Sequence, residues 1–290
     1  MALHKPPLGL KPKSEDNKEI SRTRKEFFMR VLGGALVLLC IVGGIISGGA
    51  VWYLVCSAIA LGSLWEFYRL IYTKYKISRG WGLAGGFLVL ASVSAGLSYA
   101  ITLSVLSLLA FIILFTEVAR RQITGQSYAL WNMGGTMAGL VYIVLPWSFM
   151  IVVRSQTWGH VFLLTLFFCT WSCDVGAYLV GSKIGETPFC SRVSPKKSWE
   201  GFAAGVVAST LCGGLLALYI FDFSLLPLML LGLLCGVAGQ LGDLAESVLK
   251  REARVKDTGS VIPGHGGLLD RFDSILINAT LAFLILEVIG

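Results

Sequence analysis

Long apolar runs separated by short polar segments dominate the pattern of this 290-residue chain. A membrane-spanning helix needs roughly 20 mostly apolar residues, because the hydrocarbon core of a bilayer is about 30 Å thick. The predicted fold is therefore an all-α integral membrane protein, a polytopic bundle of about nine transmembrane helices. The nine predicted spans lie near residues 31–46, 51–71, 81–98, 100–119, 136–153, 161–182, 202–220, 226–249 and 274–290.

Composition supports a membrane protein and argues against a soluble domain. Hydrophobic residues make up 55% of the chain, charged residues make up 14%, and the mean hydropathy is +0.75. An ordinary soluble domain carries about 25% charged residues. The net charge of +7 needs no nucleic acid partner, because cytoplasmic loops and the anionic inner leaflet account for an excess of cations. The expected partner is the lipid bilayer.

The positions of lysine and arginine predict the orientation of the helices, because short cytoplasmic loops collect these residues. If the N-terminus is cytoplasmic and nine helices cross, 23 of the 24 cations lie on the cytoplasmic side, and Arg154 alone lies opposite. This arrangement predicts a multi-pass protein of the cell (plasma or inner) membrane. Residues 1–30 are polar and are expected to form a mostly flexible cytoplasmic tail.

Ionisable residues divide the membrane region into two predicted parts. Residues 31–153 hold five spans with few ionisable side chains, and we expect them to form an N-terminal scaffold. Residues 154–290 hold four spans with acids, lysines and glycines at their predicted cytoplasmic ends, which indicates a C-terminal catalytic region facing the cytoplasm. Three segments carry these polar residues: WSCDVGAYLVGSKIG with ETPFCSRVSPKKSWEGF, GQLGDLAESVLKRE, and ARVKDTGSVIPGHGGLLDRFDS.

The eighth predicted span carries small residues and acids on neighbouring faces. Gly236, Gly239 and Gly242 repeat every three residues and predict a face on which another helix packs closely. Asp243 and Glu246 begin a polar stripe inside the apolar run, where a carboxylate is costly and usually faces a cavity or a partner.

Asp270 and Asp273 stand one helical turn apart at the start of the last span. Helix capping explains one of these acids, since aspartate satisfies free N–H groups at a helix N-terminus. Capping does not explain both acids together with Asp243. Three carboxylates that meet at one point suit Mg²⁺, which prefers oxygen ligands. For Glu246, an ion pair with Lys250 at the i, i+4 spacing is the alternative to a role in the site.

Cations near these acids are candidate contacts for phosphate. Ser194, Lys196 and Lys197 lie in SPKKSWEG, and Lys250, Arg251 and Lys256 lie in KREARVKD. Simple anchoring at the cytoplasmic face remains an alternative for each of them. Acids suited to a metal, cations suited to phosphate and the flexible GHGG loop together indicate phosphoryl or nucleotidyl transfer.

Two further residues have open roles at this point. His265 is either a loop-stabilising hydrogen-bond partner or a phosphate contact. Asp174 either pairs with a lysine or contacts the substrate or a metal.

The run SVLKREARVKDTGSVIPGHGGLLDRFD, residues 247–273, resembles the signature of the phosphatidate cytidylyltransferases, also called CDP-diacylglycerol synthases. The segments WSCDVGAYLVGSKIG and SPKKSWEG also resemble that family. The similarity covers roughly residues 130–290. It implies transfer of CMP from CTP to phosphatidic acid, giving CDP-diacylglycerol and pyrophosphate, with one or two Mg²⁺ ions and a monovalent cation as an option.

The resemblance also implies roles at matching positions of this sequence. Asp243, Asp270 and Asp273 would be catalytic metal ligands, and His265, Gly266 and Gly267 would line the nucleotide pocket. Further candidate contacts with the substrates, with Lys256 also expected to contribute to catalysis, are Asp174, Ser194, Lys196, Lys197, Lys250, Arg251, Lys256 and Arg271.

Other functions remain as alternatives. The same chemistry on another lipid phosphate, such as an archaeal-type ether lipid, fits the same residues. An ion or metabolite transporter would use the buried acids as a pathway, and a scaffold without catalysis would leave the acids and lysines unused. A homodimer is the expected assembly, because two-fold symmetric assemblies are the commonest.

Overall fold

The computed structural model describes residues 31–72, 76–219, 225–259 and 266–289, and these residues form a helical bundle. The predicted tail 1–30 and the predicted site residue His265 lie outside the described residues. The helices are α1 (Val31–Ser47), α2 (Gly49–Tyr72), α3 (Arg79–Ser94), α4 (Tyr99–Thr124), α5 (Ala129–Gly139), α6 (Leu145–Ser155), α7 (Gly159–Ile184), α8 (Trp199–Tyr219), α9 (Leu225–Glu252) and α10 (Asp273–Ile289).

Two shorter helical turns also occur in the described residues. A π-helical turn, Leu140–Val144, joins α5 and α6, so that Ala129–Ser155 runs as one helix of 27 residues. A 3₁₀ turn, Leu269–Arg271, directly precedes α10.

Within the part of the chain that the structure describes, six helices are long and apolar enough to cross a membrane: α2, α4, the joined α5–α6, α7, α8 and α9. The other three predicted spans coincide with α1, α3 and α10, of which α3 has 16 residues and α10 has 17. The prediction of an all-helical, polytopic protein is confirmed. Nine crossings and a cytoplasmic N-terminus stay predictions.

Apolar side chains cover much of the outer surface of the bundle. Leu39 is 71% exposed, Phe115 is 67% exposed and Leu103 is 65% exposed. In water such a surface would be unfavourable, whereas in a bilayer it contacts acyl chains. The interior holds large aromatic residues, and Trp52 there donates a hydrogen bond of 3.0 Å to the carbonyl oxygen of Met150.

Small residues allow the helices within residues 154–290, the predicted C-terminal region, to pack closely. A Cβ at Gly236 would lie 2.9 Å from Val206 Cα on α8. A Cβ at Gly242 would lie 3.0 Å from the carbonyl oxygen of Asp273 on α10. The glycines predicted to form one close-packing face thus pack against two helices, Gly236 against α8 and Gly242 against α10, and the second contact brings the acids of α9 near the start of α10.

A short β-hairpin, which the sequence did not predict, lies between α7 and α8. Strand β1 (Pro188–Cys190) pairs antiparallel with β2 (Ser194–Ser198). The hairpin is held to α8 by aromatic contacts, since the ring of Phe189 lies 4.4 Å from that of Trp199. Strand β1 has only three residues, and β2, with the sequence SPKKS, has no alternating apolar residues, so neither shows the period-two pattern that marks a strand in a sequence.

The variant Gly232→Ala is expected to destabilise the packing of α9 on α8. A Cβ at Gly232 would lie 2.5 Å from the carbonyl oxygen of Ser209, whose hydroxyl donates a 2.6 Å hydrogen bond to the Gly232 carbonyl oxygen. Because a backbone atom is in the way, the helices must separate, at a cost of about 1–3 kcal/mol. Thermal unfolding of the purified protein in detergent measures this loss.

Gly134→Ala on α5 is the matched control, because nothing lies within 4 Å of a Cβ at Gly134. Alanine is the better helix former, so this variant should unfold at the wild-type temperature or slightly above it. Equal losses in both variants would contradict the packing explanation.

Candidate active site

Three carboxylates meet at one end of the bundle and form what we call the acid cluster: Asp243 and Glu246 on α9, and Asp273 at the start of α10. One oxygen from each lies within 4.8 Å of the others. Asp243 and Glu246 are three residues apart on one helix, and so they share a face. At Gly242, α9 packs closely against the start of α10, and this contact brings Asp273 to the other two acids.

The acid cluster fits a divalent cation. Mg²⁺ holds its ligands at about 2.0–2.1 Å, so that opposite ligands lie about 4.2 Å apart. Glu246 is fully buried, and its Oε1 has no hydrogen-bond partner within the described part of the chain. A buried carboxylate oxygen without a partner is costly. A cation at this position would remove that cost.

Asp273 has two roles in this arrangement. Its Oδ1 accepts a 2.6 Å hydrogen bond from the backbone N–H of Ser274, which satisfies a free donor at the start of α10. The same side chain also offers an oxygen to the acid cluster. The capping and metal-binding interpretations of this aspartate are thus compatible.

The hairpin brings a lysine to the acid cluster. Lys197 Nζ lies 2.7 Å from Asp243 Oδ2 and donates a 3.2 Å hydrogen bond to the carbonyl oxygen of Gln240. Lys196, the preceding residue on β2, is exposed, and Ser194 begins the strand partly buried. Two of the three predicted polar segments therefore meet directly at Asp243.

Lys250 joins the acid cluster to the loop before α10. Its Nζ lies 2.6 Å from Glu246 Oε2 and 2.9 Å from Asp270 Oδ1. The ion pair of Glu246 with Lys250, considered from the sequence as an alternative, is present together with the acid cluster. Glu246 thus belongs to both, and its three-residue spacing from Asp243 was the signal for this in the sequence.

Asp270 lies beside the acid cluster and not within its group of three. Its Oδ2 accepts 2.9 Å hydrogen bonds from the backbone N–H groups of Thr258 and Gly267. Burial opposes ionisation, but the hydrogen bond from Lys250 and these two N–H groups lower the pKa of Asp270 below its ordinary value. In this geometry Asp270 binds a lysine and the loop, and its predicted role as a metal ligand stays a prediction.

Further predicted residues lie at the end of α9 and between α9 and α10. Arg251 Nε donates a 3.2 Å hydrogen bond to the carbonyl oxygen of Val193, which ties the end of α9 to the hairpin. Lys256 and Arg271 are exposed. Gly266 has a φ of +86°, a conformation that favours glycine, and it leads into the N–H that binds Asp270.

A cavity of about 350 Å³ opens beside the acid cluster. Asp174, Asp270, Arg271 and Asp273 give it a polar lining. Asp174, on α7, is exposed. The apolar part of the lining includes residues of α1 that the sequence did not connect with the site. The lining residues from α1 are Gly33, Gly34, Val37 and Leu38.

Known proteins are similar to this chain over most of its length. Residues 28–289 match the model of the cytidylyltransferase family. The phosphatidate cytidylyltransferase of Staphylococcus aureus (strain COL) is 31% identical over 253 residues, which cover 86% of this chain and 94% of the relative. That of Bacillus subtilis (strain 168) is 31% identical over 254 residues, covering 85% and 93%. That of Synechocystis sp. is 44% identical over 137 residues, covering 44% and 46%. This chain therefore belongs to the cytidylyltransferase family.

Proposed function

We propose that this protein is a phosphatidate cytidylyltransferase, which transfers CMP from CTP to phosphatidic acid and releases pyrophosphate. The observation that carries the proposal is the acid cluster next to Lys197 and Lys250, at one end of a bundle of apolar helices. The names of the relatives over most of the chain support the choice of substrates. The alternatives from the sequence, a transporter and an inert scaffold, have no such support.

The proposed reaction brings two polyanions together. A phosphate oxygen of the lipid attacks the α-phosphorus of CTP, a new P–O bond forms, and the bond to the β-phosphate breaks with its electron pair leaving on pyrophosphate. The attacking oxygen is already anionic, so no serine or cysteine nucleophile is required. The protein must reduce the repulsion between the substrates and stabilise the departing charge.

Different residues of this chain would reduce the repulsion and stabilise the departing charge. Asp243, Glu246 and Asp273 would hold Mg²⁺, which when bound neutralises phosphate charge and makes pyrophosphate a better leaving group. Lys197 and Lys250 balance the acids and keep them in position. Lys196 and Lys256, which are exposed, would bind phosphates, and Asp270, which accepts the Gly267 N–H, would hold the loop at Gly266 and Gly267.

The lipid substrate suits the border between polar and apolar surfaces. The cavity beside the acid cluster has polar residues on one side and α1 on the other. We propose that the phosphate enters the polar side while the acyl chains remain in lipid, and that this end faces the cytoplasm, where CTP is found. A homodimer remains the proposed assembly, to be measured by light scattering in detergent.

An assay with defined substrates tests the function. Purified protein in detergent, Mg²⁺, phosphatidic acid and CTP labelled in the α-phosphate should yield labelled CDP-diacylglycerol, and chelation of the metal by EDTA should stop the reaction. A parallel reaction with an ether-lipid phosphate distinguishes the two lipid classes. Unchanged CTP with every lipid phosphate, together with ion flux in liposomes, would replace this proposal by the transporter.

A further inference from the structure

A buried glutamate within residues 31–153, which we call the front half, contacts the loop of the candidate active site. Glu66 lies on α2 and is fully buried. Its Oε2 accepts a 2.9 Å hydrogen bond from the backbone N–H of Leu269, and the hydroxyl of Thr258 lies 3.3 Å from the same oxygen. These partners are about 200 residues away along the sequence, on the two sides of the loop between α9 and α10.

The loop packs against this carboxylate through glycines. A Cβ at Gly267 would lie 2.7 Å from Glu66 Oε2, and a Cβ at Gly259 would collide with Glu66 Oε1. Nearby, a Cβ at Gly62 on α2 would lie 2.7 Å from Leu268 Cδ2. The absence of side chains at these glycines lets both sides of the loop reach α2.

Two carboxylates therefore hold the same two loop segments. Asp270 Oδ2 binds the backbone N–H groups of Thr258 and Gly267, and Glu66 binds the side chain of Thr258 and the N–H of Leu269. Asp270 in turn pairs with Lys250, which pairs with Glu246 of the acid cluster. A continuous set of contacts thus runs from α2 through the loop to the acid cluster.

Filling the space between helices with a buried carboxylate is energetically unfavourable. Removing a charged oxygen from water is unfavourable unless its hydrogen bonds compensate. Within the described residues, Glu66 Oε1 has no hydrogen-bond partner. An apolar side chain at this position would pack α2 without that cost, so packing alone does not account for the glutamate.

Glu117 provides a comparison inside the same chain. It is also a buried glutamate of the front half, on α4. It accepts hydrogen bonds of 2.8 Å from the N–H of Tyr128 and 2.7 Å from Asn132 Nδ2, and it lies 3.0 Å from Arg120 Nη1. These three contacts lie within the front half, whereas those of Glu66 reach the loop of the site.

We propose that Glu66 is a positioning residue for the transfer reaction. It holds the two sides of the loop against α2, so that Asp270 and Lys250 stay aligned with the acid cluster. The front half is then part of the active site's support and not only a membrane scaffold. The kinetic part of this inference rests on the proposed function; the loop-ordering part does not.

Three variants test the proposal: Glu66→Ala, Glu66→Gln and the matched control Glu117→Ala. Rates are measured per amount of folded protein, as isolated by size-exclusion chromatography in detergent. Glu66→Ala should lower kcat by about 10- to 100-fold, the range expected for displaced reacting groups, with KM for phosphatidic acid changing by less than about 3-fold. Glu66→Gln should recover much of kcat, since its amide oxygen still accepts the Leu269 N–H. Glu117→Ala should keep the wild-type kcat.

Hydrogen exchange without substrates gives a readout that does not depend on catalysis. In Glu66→Ala, amides of residues 256–259 and 266–270 should exchange at least about 10-fold faster, while those of Glu117→Ala stay at the wild-type rate. If Glu66→Ala gives no folded protein, Thr258→Val removes one of the two contacts and should produce a smaller change of the same kind.

The outcomes separate the two proposals. Unchanged loop exchange and unchanged kcat in Glu66→Ala would overturn the positioning role. Equal losses of kcat in Glu66→Ala and Glu117→Ala would also overturn it, because a general weakening of the front half would then explain both. Absence of CMP transfer by the wild-type protein would contradict the proposed function, while the exchange experiment would still decide whether Glu66 orders the loop.

Discussion

Replacing Asp273 by asparagine is expected to lower CMP transfer by about 100- to 1,000-fold while the protein stays folded. Asparagine caps a helix as well as aspartate does, so its side-chain oxygen still accepts the N–H of Ser274, which now donates a 2.6 Å hydrogen bond to Asp273. What the variant loses is one negative charge of the acid cluster. Initial rates with labelled CTP, measured across a Mg²⁺ titration, show the loss.

Three further variants distinguish the loss of a metal ligand from the loss of a contact with the loop. Asp243→Asn and Glu246→Gln should resemble Asp273→Asn, with more Mg²⁺ needed for half-maximal rate. Asp270→Asn should lower the rate with a smaller change in the Mg²⁺ requirement, because the structure places Asp270 on Lys250 and on the loop. Full activity in all four variants would contradict a metal site in this region.

Most helices of the bundle could be predicted from the sequence because each is a long apolar run. The structure places a helix on every predicted span. Features without such a run were not predicted. The β-hairpin at 188–198 is short and polar, and the π-helical turn Leu140–Val144 changes only the hydrogen-bond spacing inside an apolar helix.

The candidate site could be predicted in part, because its acids lie close together in sequence or on one helix face. Asp243 and Asp273 were expected to meet because their segments fall at the same predicted membrane face. The partner of Asp270 did not follow, since Lys250 has a local partner in Glu246 at the i, i+4 spacing and the second, distant contact leaves no pattern.

For a similar reason, the sequence pattern did not predict that residues of the front half contribute to the site. Glu66 looks like one acid near a helix end, and nothing local indicates that it meets Leu269 and Thr258. Gly33 and Gly34 border the cavity only because α1 packs beside the site. Contacts between distant segments depend on how the helices assemble. The residue pattern of a single sequence does not indicate which distant residues will meet.

Replacing Lys250 by methionine is expected to destabilise the protein by about 3–5 kcal/mol, the cost of leaving a buried charge without its partner. Glu246 and Asp270, whose side chains are 0% and 6% exposed, would both lose their cation. Methionine keeps the length and apolar stem of the side chain, so lost packing contributes little. Unfolding by heat or by denaturing detergent measures the change, and wild-type stability in this variant would contradict the buried ion pairs.

The double variant Lys250→Met with Glu246→Gln separates charge balance from chemistry. Removing one of the two unpaired acids should restore part of the stability lost in Lys250→Met, and the difference from additivity gives the coupling of the pair. CMP transfer should not recover, because Glu246 is also part of the acid cluster. Mg²⁺ provides a further distinction: without Lys250 the cluster is more negative, so added Mg²⁺ should raise the unfolding temperature of Lys250→Met more than that of the wild type. A gain in stability from Mg²⁺ that disappears in the double variant would locate the ion at Glu246 without reference to activity.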